Sequence, residues 1–102
     1  MKLIIITAIS TFENEIRKIL KSAEIDTYSV VDVSGFRDNT LDAVSTNWFA
    51  TEMNKSKSIL FYVFVKEEKA AHVFKNVNVF NETLESDSRI HIAKLNIEQF
   101  NS

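Results

Sequence analysis

Histidine is the side chain best suited to proton transfer near neutral pH, and this chain has two, His72 and His91. Together they could serve as a general base or as a pair of metal ligands. His72 stands in a helical pattern and His91 in a strand pattern, so an ordinary surface position is the simpler interpretation of each. The chain has no cysteine, which excludes thiolate nucleophiles, thiolate zinc sites and disulfides. We therefore predict no catalytic residues, no metal site and no enzymatic activity.

The nucleotide-binding motifs that rely on glycine are missing from the sequence. Its one glycine is Gly35, and it has neither a Walker loop nor a Gly-x-Gly-x-x-Gly string. Asp32, Asp38 and Asp42 show no spacing that defines a carboxylate pair, and surface positions account for them. The net charge of −2 and the lack of clustered Lys and Arg argue against nucleic acid as a partner.

Aromatic and basic residues are the stronger candidates for binding. Trp48 and Phe49 are adjacent in a polar stretch, and we expect them either to contact a partner or to fold back onto the domain or a sister subunit. Four basic residues stand at predicted strand ends, where they favour an anion such as a nucleotide or a carboxylate, with ordinary surface charge as the alternative: Arg37, Lys55, Lys57 and Arg89.

Four predicted strands and two predicted helices position these residues, in the order βαββαβ. The strands are predicted at 2–7, 28–33, 59–65 and 89–95, and the apolar run at 3–6 favours a central strand buried on both faces. Helical spacing predicts one helix that starts at a capping box of Ser10 and Glu13, and a second that opens at 66–68. This order indicates a single α+β, ferredoxin-like domain over 1–102, with an antiparallel four-stranded sheet and two helices on one face.

The segment between the second and third predicted strands, about 36–57, is long for a connection inside a compact domain. It contains the only tryptophan of the chain. Long loops of this kind are usually functional or disordered. We therefore predict that the rest of the domain serves as a frame that presents the loop at about 36–57.

Three short strings of the sequence resemble the PII signalling family. The string Val-Ser-Gly-Phe-Arg at 33–37 resembles the base of the family's long T-loop. Residues 61–68 resemble its third strand running into the second helix, and 87–90 resemble the opening of its fourth strand. The resemblance implies a homotrimeric regulatory protein that binds small effectors, typically adenine nucleotides and 2-oxoglutarate, in clefts between subunits. It also implies a T-loop that docks on a membrane transporter or an enzyme.

Carried over residue by residue, the resemblance implies an intersubunit cleft lined by four residues of this chain: Gly35, Phe36, Arg37 and Arg89. Arg89 takes the position of a phosphate-contacting lysine. The loop residues expected to contact a partner are Trp48, Phe49, Lys55 and Lys57.

The sequence also departs from the family. The family has a glycine-rich segment before its fourth strand. In this chain residues 83–88 take its place, where no glycine remains and where Glu85 and Asp87 would repel phosphate. The loop lacks the tyrosine that some members modify, which favours direct contact over covalent signalling. A divalent-cation- or heavy-metal-tolerance protein on the same trimeric scaffold is the alternative, and a small enzyme on this fold is a third. Met1 leads directly into a short strand, and no apolar run is long enough to span a bilayer, so we expect a cytoplasmic protein.

Overall fold

The computed structural model describes residues 1–36 and 55–101. Four strands and two α-helices follow one another within them in the predicted order βαββαβ. The strands are β1 (Lys2–Ile9), β2 (Ser29–Phe36), β3 (Lys55–Val65) and β4 (His91–Asn96). The helices are α1 (Glu13–Ser22), preceded by a 3₁₀ turn at Ser10–Phe12, and α2 (Glu67–Glu82).

The four strands form one antiparallel sheet in the order β2-β3-β1-β4. β1 therefore lies in the interior of the sheet, as its apolar run predicts, and β2 and β4 form the two edges. Both helices pack on one face, where Ile4, Ile6 and Phe61 are fully buried. The helices contribute four fully buried side chains to this core: Ile16, Leu20, Val73 and Val77. The predicted α+β, ferredoxin-like fold is confirmed.

The other face of the sheet, which we call the open face, is formed by the alternate residues of the same strands and is packed by neither helix. Antiparallel pairing places Leu3 of β1 between Phe64 of β3 and Leu95 of β4 on this face. Phe64 is 49% exposed and Leu95 is 41% exposed. Leu3 is only partly buried and Thr7, on the same face, is 1% exposed, so the expectation that β1 is buried on both faces is met on the helix side and, on the open face, at Thr7.

The pair β2–β3 extends further than the sequence predicts. β2 continues three residues past Val33, and β3 begins at Lys55, four residues before Ile59. β1 pairs with β3 only as far as Ser58, so three β2–β3 residue pairs stand beyond the four-stranded part as a two-stranded ribbon: Ser34–Lys57, Gly35–Ser56 and Phe36–Lys55. Lys55 and Lys57, which we assigned to the loop, are therefore strand residues.

The capping box predicted at Ser10 and Glu13 is wrong. Ser10 makes no capping hydrogen bond, and Phe12 occupies the N-cap position of α1. The carboxylate of Glu13 accepts hydrogen bonds from Arg17, at 3.0 Å from Nε and 2.7 Å from Nη2. An i,i+4 ion pair on the helix surface thus takes the carboxylate that a capping box would use.

α1 ends in a Schellman motif, in which the chain turns through a left-handed residue. Glu24 has φ 60° and is the one described non-glycine residue with a positive φ. The amide of Ile25 donates to Leu20 O at 3.0 Å, and the amide of Glu24 donates to Lys21 O at 2.9 Å. These bonds satisfy two of the last helical carbonyls and direct the chain towards β2.

Candidate functional site

The loop end of the sheet gathers part of the predicted site. Gly35 and Phe36 are the last two residues of β2, and they pair with Ser56 and Lys55 of β3. The predicted cleft residue Arg37 and the predicted partner-binding residues Trp48 and Phe49 lie outside the described residues. The backbone of the ribbon thus places Gly35 and Phe36 next to the lysine-bearing start of β3.

Arg89 lies at the same end of the sheet but near the opposite edge. It precedes β4, and β3 and β1 separate β4 from β2, which puts the two edges about 14 Å apart. Its guanidinium donates through Nη1 to the carbonyl oxygens of Ser86 and, at 2.9 Å, of Ser88. The side chain therefore helps to order the turn before β4. A single small anion could not contact Arg89 and Gly35 of one chain together, whereas an extended ligand could.

A cavity of about 440 Å³ opens beside the ribbon, where β1 turns into α1. Its lining combines one ammonium, two carboxylates and three hydroxyls: Ser10, Glu13, Asp32, Val33, Ser34, Lys57 and Ser58. Such a set can bind a small polar or zwitterionic molecule, because it offers charges of both signs and hydroxyl groups that donate and accept.

Sequence reasoning missed most of this cavity. It identified Lys57 as a binding candidate but assigned Asp32 to the solvent face and gave Ser10 a capping role. The missing signal is the strand register, since Ser34 pairs with Lys57 and Asp32 is two residues before Ser34 on the same side of β2. The alternation of side chains along a strand could have placed Asp32 and Ser34 on the same face of β2. Only the pairing of β2 with β3 brings Lys57 to the same cavity.

Glu13 is held at the cavity wall by its neighbours. Arg17 donates to this carboxylate and, through Nη1, to the hydroxyl of Tyr28 at 3.0 Å. The hydrogen bond to Glu13, and then the one to Tyr28, raise the pKa of Arg17 above its ordinary value. Because Glu13 is already paired with a permanent cation, it is a poor general base.

The two histidines lie on opposite sides of the sheet. His72 is exposed on α2, and its Nε2 is 2.9 Å from Asn76 Nδ2. His91 pairs with Thr7 of β1 on the open face, where partial burial lowers its pKa. A sheet between two imidazoles prevents them from sharing a metal. Residues 1–36 and 55–101 also contain no group of three or more histidine, aspartate or glutamate residues that could hold a metal ion.

No family model matches this chain, and no curated protein matches it. Solved structures do resemble it in fold. A protein of Thermus thermophilus described as a PII-like signalling protein has a TM-score of 0.63 at 17% identity, covering 94% of this chain and 85% of that one. CPII, a nitrogen regulatory PII-like protein of Thiomonas intermedia K12 bound to ADP, AMP and bicarbonate, has a TM-score of 0.62 at 14% identity, covering 98% and 94%.

A protein of the DUF3240 family from Shewanella baltica OS155 has a TM-score of 0.66 at 13% identity, covering 99% of this chain and 93% of that chain. These likenesses confirm that the chain has the fold of PII-like signalling proteins. Over the described residues, neither helix is long and apolar enough to cross a membrane.

Proposed function

We propose that this chain is a divergent PII-like regulatory protein that works as a homotrimer. It binds a small effector at the loop end of the sheet and contacts a partner protein through the segment at about 36–57. Its role is to signal rather than to catalyse. The observation that carries this proposal is the open face, an apolar surface of the sheet that neither helix covers. It occurs in a protein that has the fold of PII-like proteins.

The open face supports assembly because its apolar side chains are too exposed for a solitary chain. Large apolar side chains from three strands lie on it, and several are well exposed: Val31 46%, Tyr62 39%, Phe64 49% and Leu95 41%. Contiguous apolar surface of this kind marks an interaction site, and burial of such rings drives association. Within the described residues, the helices already cover one apolar face of the sheet. The open face is the other apolar face, and no helix covers it.

An extended anionic effector suits the arrangement of the predicted cleft. Gly35 and Phe36 lie at one edge of the loop end, and Arg89 lies near the other. Arg37, outside the described residues, directly follows Phe36 and would add a second cation. A nucleotide has a planar aromatic base at one end and a charged phosphate group at the other, which fits two separated sets of contacts. CPII binds ADP, AMP and bicarbonate, and these are the effectors we propose to test first.

The partner contact is proposed for the loop and the ribbon that carries it. Lys57 is exposed on the ribbon, and Lys55 pairs with Phe36 at its tip. Trp48 and Phe49 supply aromatic side chains of the kind that dominate binding energy at protein interfaces. A membrane transporter or an enzyme is the proposed partner, and the cytoplasm is the proposed location.

The test of assembly is light scattering on the purified protein, compared with two charge variants. We expect a trimer, and we expect Phe64→Asp to break it because a carboxylate would be buried in the interface. Val79→Asp is the matched control, since Val79 is also 49% exposed but lies on α2. A monomeric wild type would refute the proposed trimer, and equal assembly by both variants would refute the open face as its interface.

Effector binding is tested by thermal shift with ADP, AMP and bicarbonate, with chloride at equal ionic strength as the control. A ligand at a hundred times its dissociation constant should stabilise the protein by about 2.7 kcal/mol. Arg89→Gln should weaken any nucleotide shift, whereas Lys94→Gln, which removes a cation paired with Glu67 instead, should not. Stabilisation by divalent metals that is lost in His72→Ala or in His91→Ala would favour the cation-tolerance alternative.

A further inference from the structure

The chain after β4 lies across the lower end of the open face, opposite the loop end. β4 ends at Asn96, which pairs with Lys2, and the following residues 97–101 form what we call the arm. The ring of Phe100 packs against Phe64 of β3, with 5.5 Å between ring centroids and 51° between ring planes. Because β1 separates β4 from β3, the arm passes over β1 within four residues.

The aromatic contact made by the arm is incomplete. Phe100 is 44% exposed and Phe64 is 49% exposed although their rings touch. Ile97 is partly buried, and the rest of the arm is exposed. Pairs of aromatic rings usually contribute most when they are buried, so this contact stabilises the arm only weakly in a single chain. The arm can therefore leave its own sheet at little cost.

A cleft adjoins Phe64 on the side of the β2 edge. It has a volume of about 350 Å³ and is lined by the start of β2 and the end of β3: Thr27, Tyr28, Ser29, Tyr62, Val63 and Phe64. A phenyl side chain suits this lining, because three of its residues are aromatic (Tyr28, Tyr62 and Phe64) and the other three have small side chains. The cleft is continuous with the open face, which is the surface proposed above to be covered by other copies.

We propose that the arm is exchanged between copies, so that Phe100 of one chain packs against Phe64 and into the cleft of the next. This inference rests on the proposed assembly and names a segment that holds it together. An interface that closes a ring of three is heterologous, which means that each copy offers one protruding and one receiving surface. The arm leaves from the β4 edge and the cleft lies at the β2 edge, so each chain carries both parts on opposite sides of its sheet.

Exchange needs no new chemistry, because the arm would meet in the neighbour the same ring that it meets in its own chain. Such swapping of an identical element is a low-cost route to association. The exchange would also bury the second half of both rings, since the neighbouring sheet and the arm would then enclose them. The arm thus becomes part of the contact between copies.

The natural absence of cysteine makes a direct test possible. The double variant Phe64→Cys with Phe100→Cys is treated with a short bismaleimide and run on a denaturing gel, while light scattering records its assembly before treatment. We expect covalent trimers as the main product. The two single variants are the controls, and they should give no covalent trimer.

Each other outcome is decisive. Cross-linked monomers in a sample that scatters as a trimer would overturn the exchange and leave the proposed assembly standing. A wild-type protein that is monomeric would overturn both. If the double variant does not assemble, the pair Ser29→Cys with Gln99→Cys, which keeps both rings, replaces it. Absence of any cross-link with that pair would also overturn the exchange.

An independent measurement uses the strength of assembly. Phe100→Ala should raise the protein concentration at which the assembly dissociates by at least about tenfold, because it removes a ring from the interface. Gln99→Ala is the neighbouring control and should leave that concentration unchanged. Equal dissociation of Phe100→Ala and the wild type would overturn the exchange.

Discussion

The guanidinium of Arg17 donates a hydrogen bond of 3.0 Å to the hydroxyl of Tyr28, and its central carbon lies 5.7 Å from the centroid of the Tyr28 ring. The same group lies 5.6 Å from the centroid of the Phe61 ring. One side chain of α1 therefore contacts the residue before β2 and the core of β3. This links the helix that borders the cavity to the edge strand that lines it.

Replacing Tyr28 with phenylalanine should lower the midpoint of urea unfolding slightly. The change removes the hydrogen bond from Arg17 but keeps the ring and its contact with Phe61. Arg17→Ala should lower the midpoint further, because it also removes the packing of the guanidinium on Phe61. Equal stability of Arg17→Ala and the wild type would contradict this account of the link.

Glu24→Gly should stabilise the protein by roughly 0.5–1 kcal/mol, because glycine adopts a positive φ without the steric cost of a Cβ. The φ of 60° and the bonds that close α1 rest on the backbone and are kept in the variant. Lys69 Nζ donates to the backbone oxygen of Glu24, so this contact is kept as well. Glu24→Ala removes the charge but keeps the Cβ, and an equal gain in that control would argue against a backbone origin. Urea unfolding measures both.

Two valines of α2 provide a matched pair for the core. Val73 is 0% exposed and Val79 is 49% exposed. Val73→Ala should cost about 2 kcal/mol of unfolding free energy, since it removes buried methyl groups and leaves a small cavity. Val79→Ala should change stability by less than about 0.5 kcal/mol. Calorimetry on both variants checks the prediction, and a comparable loss in each would contradict the assigned inner face of α2.

Acidification should destabilise the protein through His91, whose pKa burial lowers below its ordinary 6.5. Above that value the imidazole is neutral in both states and contributes nothing to the pH dependence. Below it the unfolded chain takes up a proton that the folded state resists, so the free energy of unfolding falls as pH falls.

The measurement is a series of urea midpoints from about pH 7.5 to 5, a range chosen around the ordinary histidine pKa. His91→Gln should flatten the pH dependence, and His72→Gln, at an exposed position on α2, is the control variant. Glu67 has a pKa lowered by its hydrogen bond from Lys94, so its contribution is lost only at more acidic pH. A His91→Gln variant with the wild-type slope would contradict the prediction.

Periodicity in the sequence was sufficient for the order of the elements and for the presence of both helices. Periodicity did not predict where the strands and helices begin and end, because polar side chains and backbone pairing determine those positions. Ser34 and Lys57 carry no apolar signal, yet their backbones pair and extend β2 and β3. Glu13 matched a capping box by spacing, but its partner is Arg17, one helical turn away.

The candidate site was predictable only in part, for a related reason. Its cavity joins Ser10 with Asp32 and Lys57, which are far apart in the sequence and meet only through strand pairing. The open face did have a signal, since every residue from Ile59 to Val65 is apolar and a strand with one wet face would alternate. That signal indicates that the second face of the sheet is also covered, but it does not indicate what covers it.

The ribbon of β2 and β3 holds both ends of the segment that connects these strands. Its three pairs carry the attachment points, Phe36 and Lys55, about 10 Å beyond the last residue of β1 that pairs with β3. Because the two strands stay paired to the tip, a change of angle near the Val33–Ser58 pair would move both attachment points together. Asp32, Ser34 and Lys57, which line the cavity, lie at or beside that pair. A molecule bound in the cavity would contact the base of the ribbon, where a small change of angle corresponds to a larger displacement at its tip.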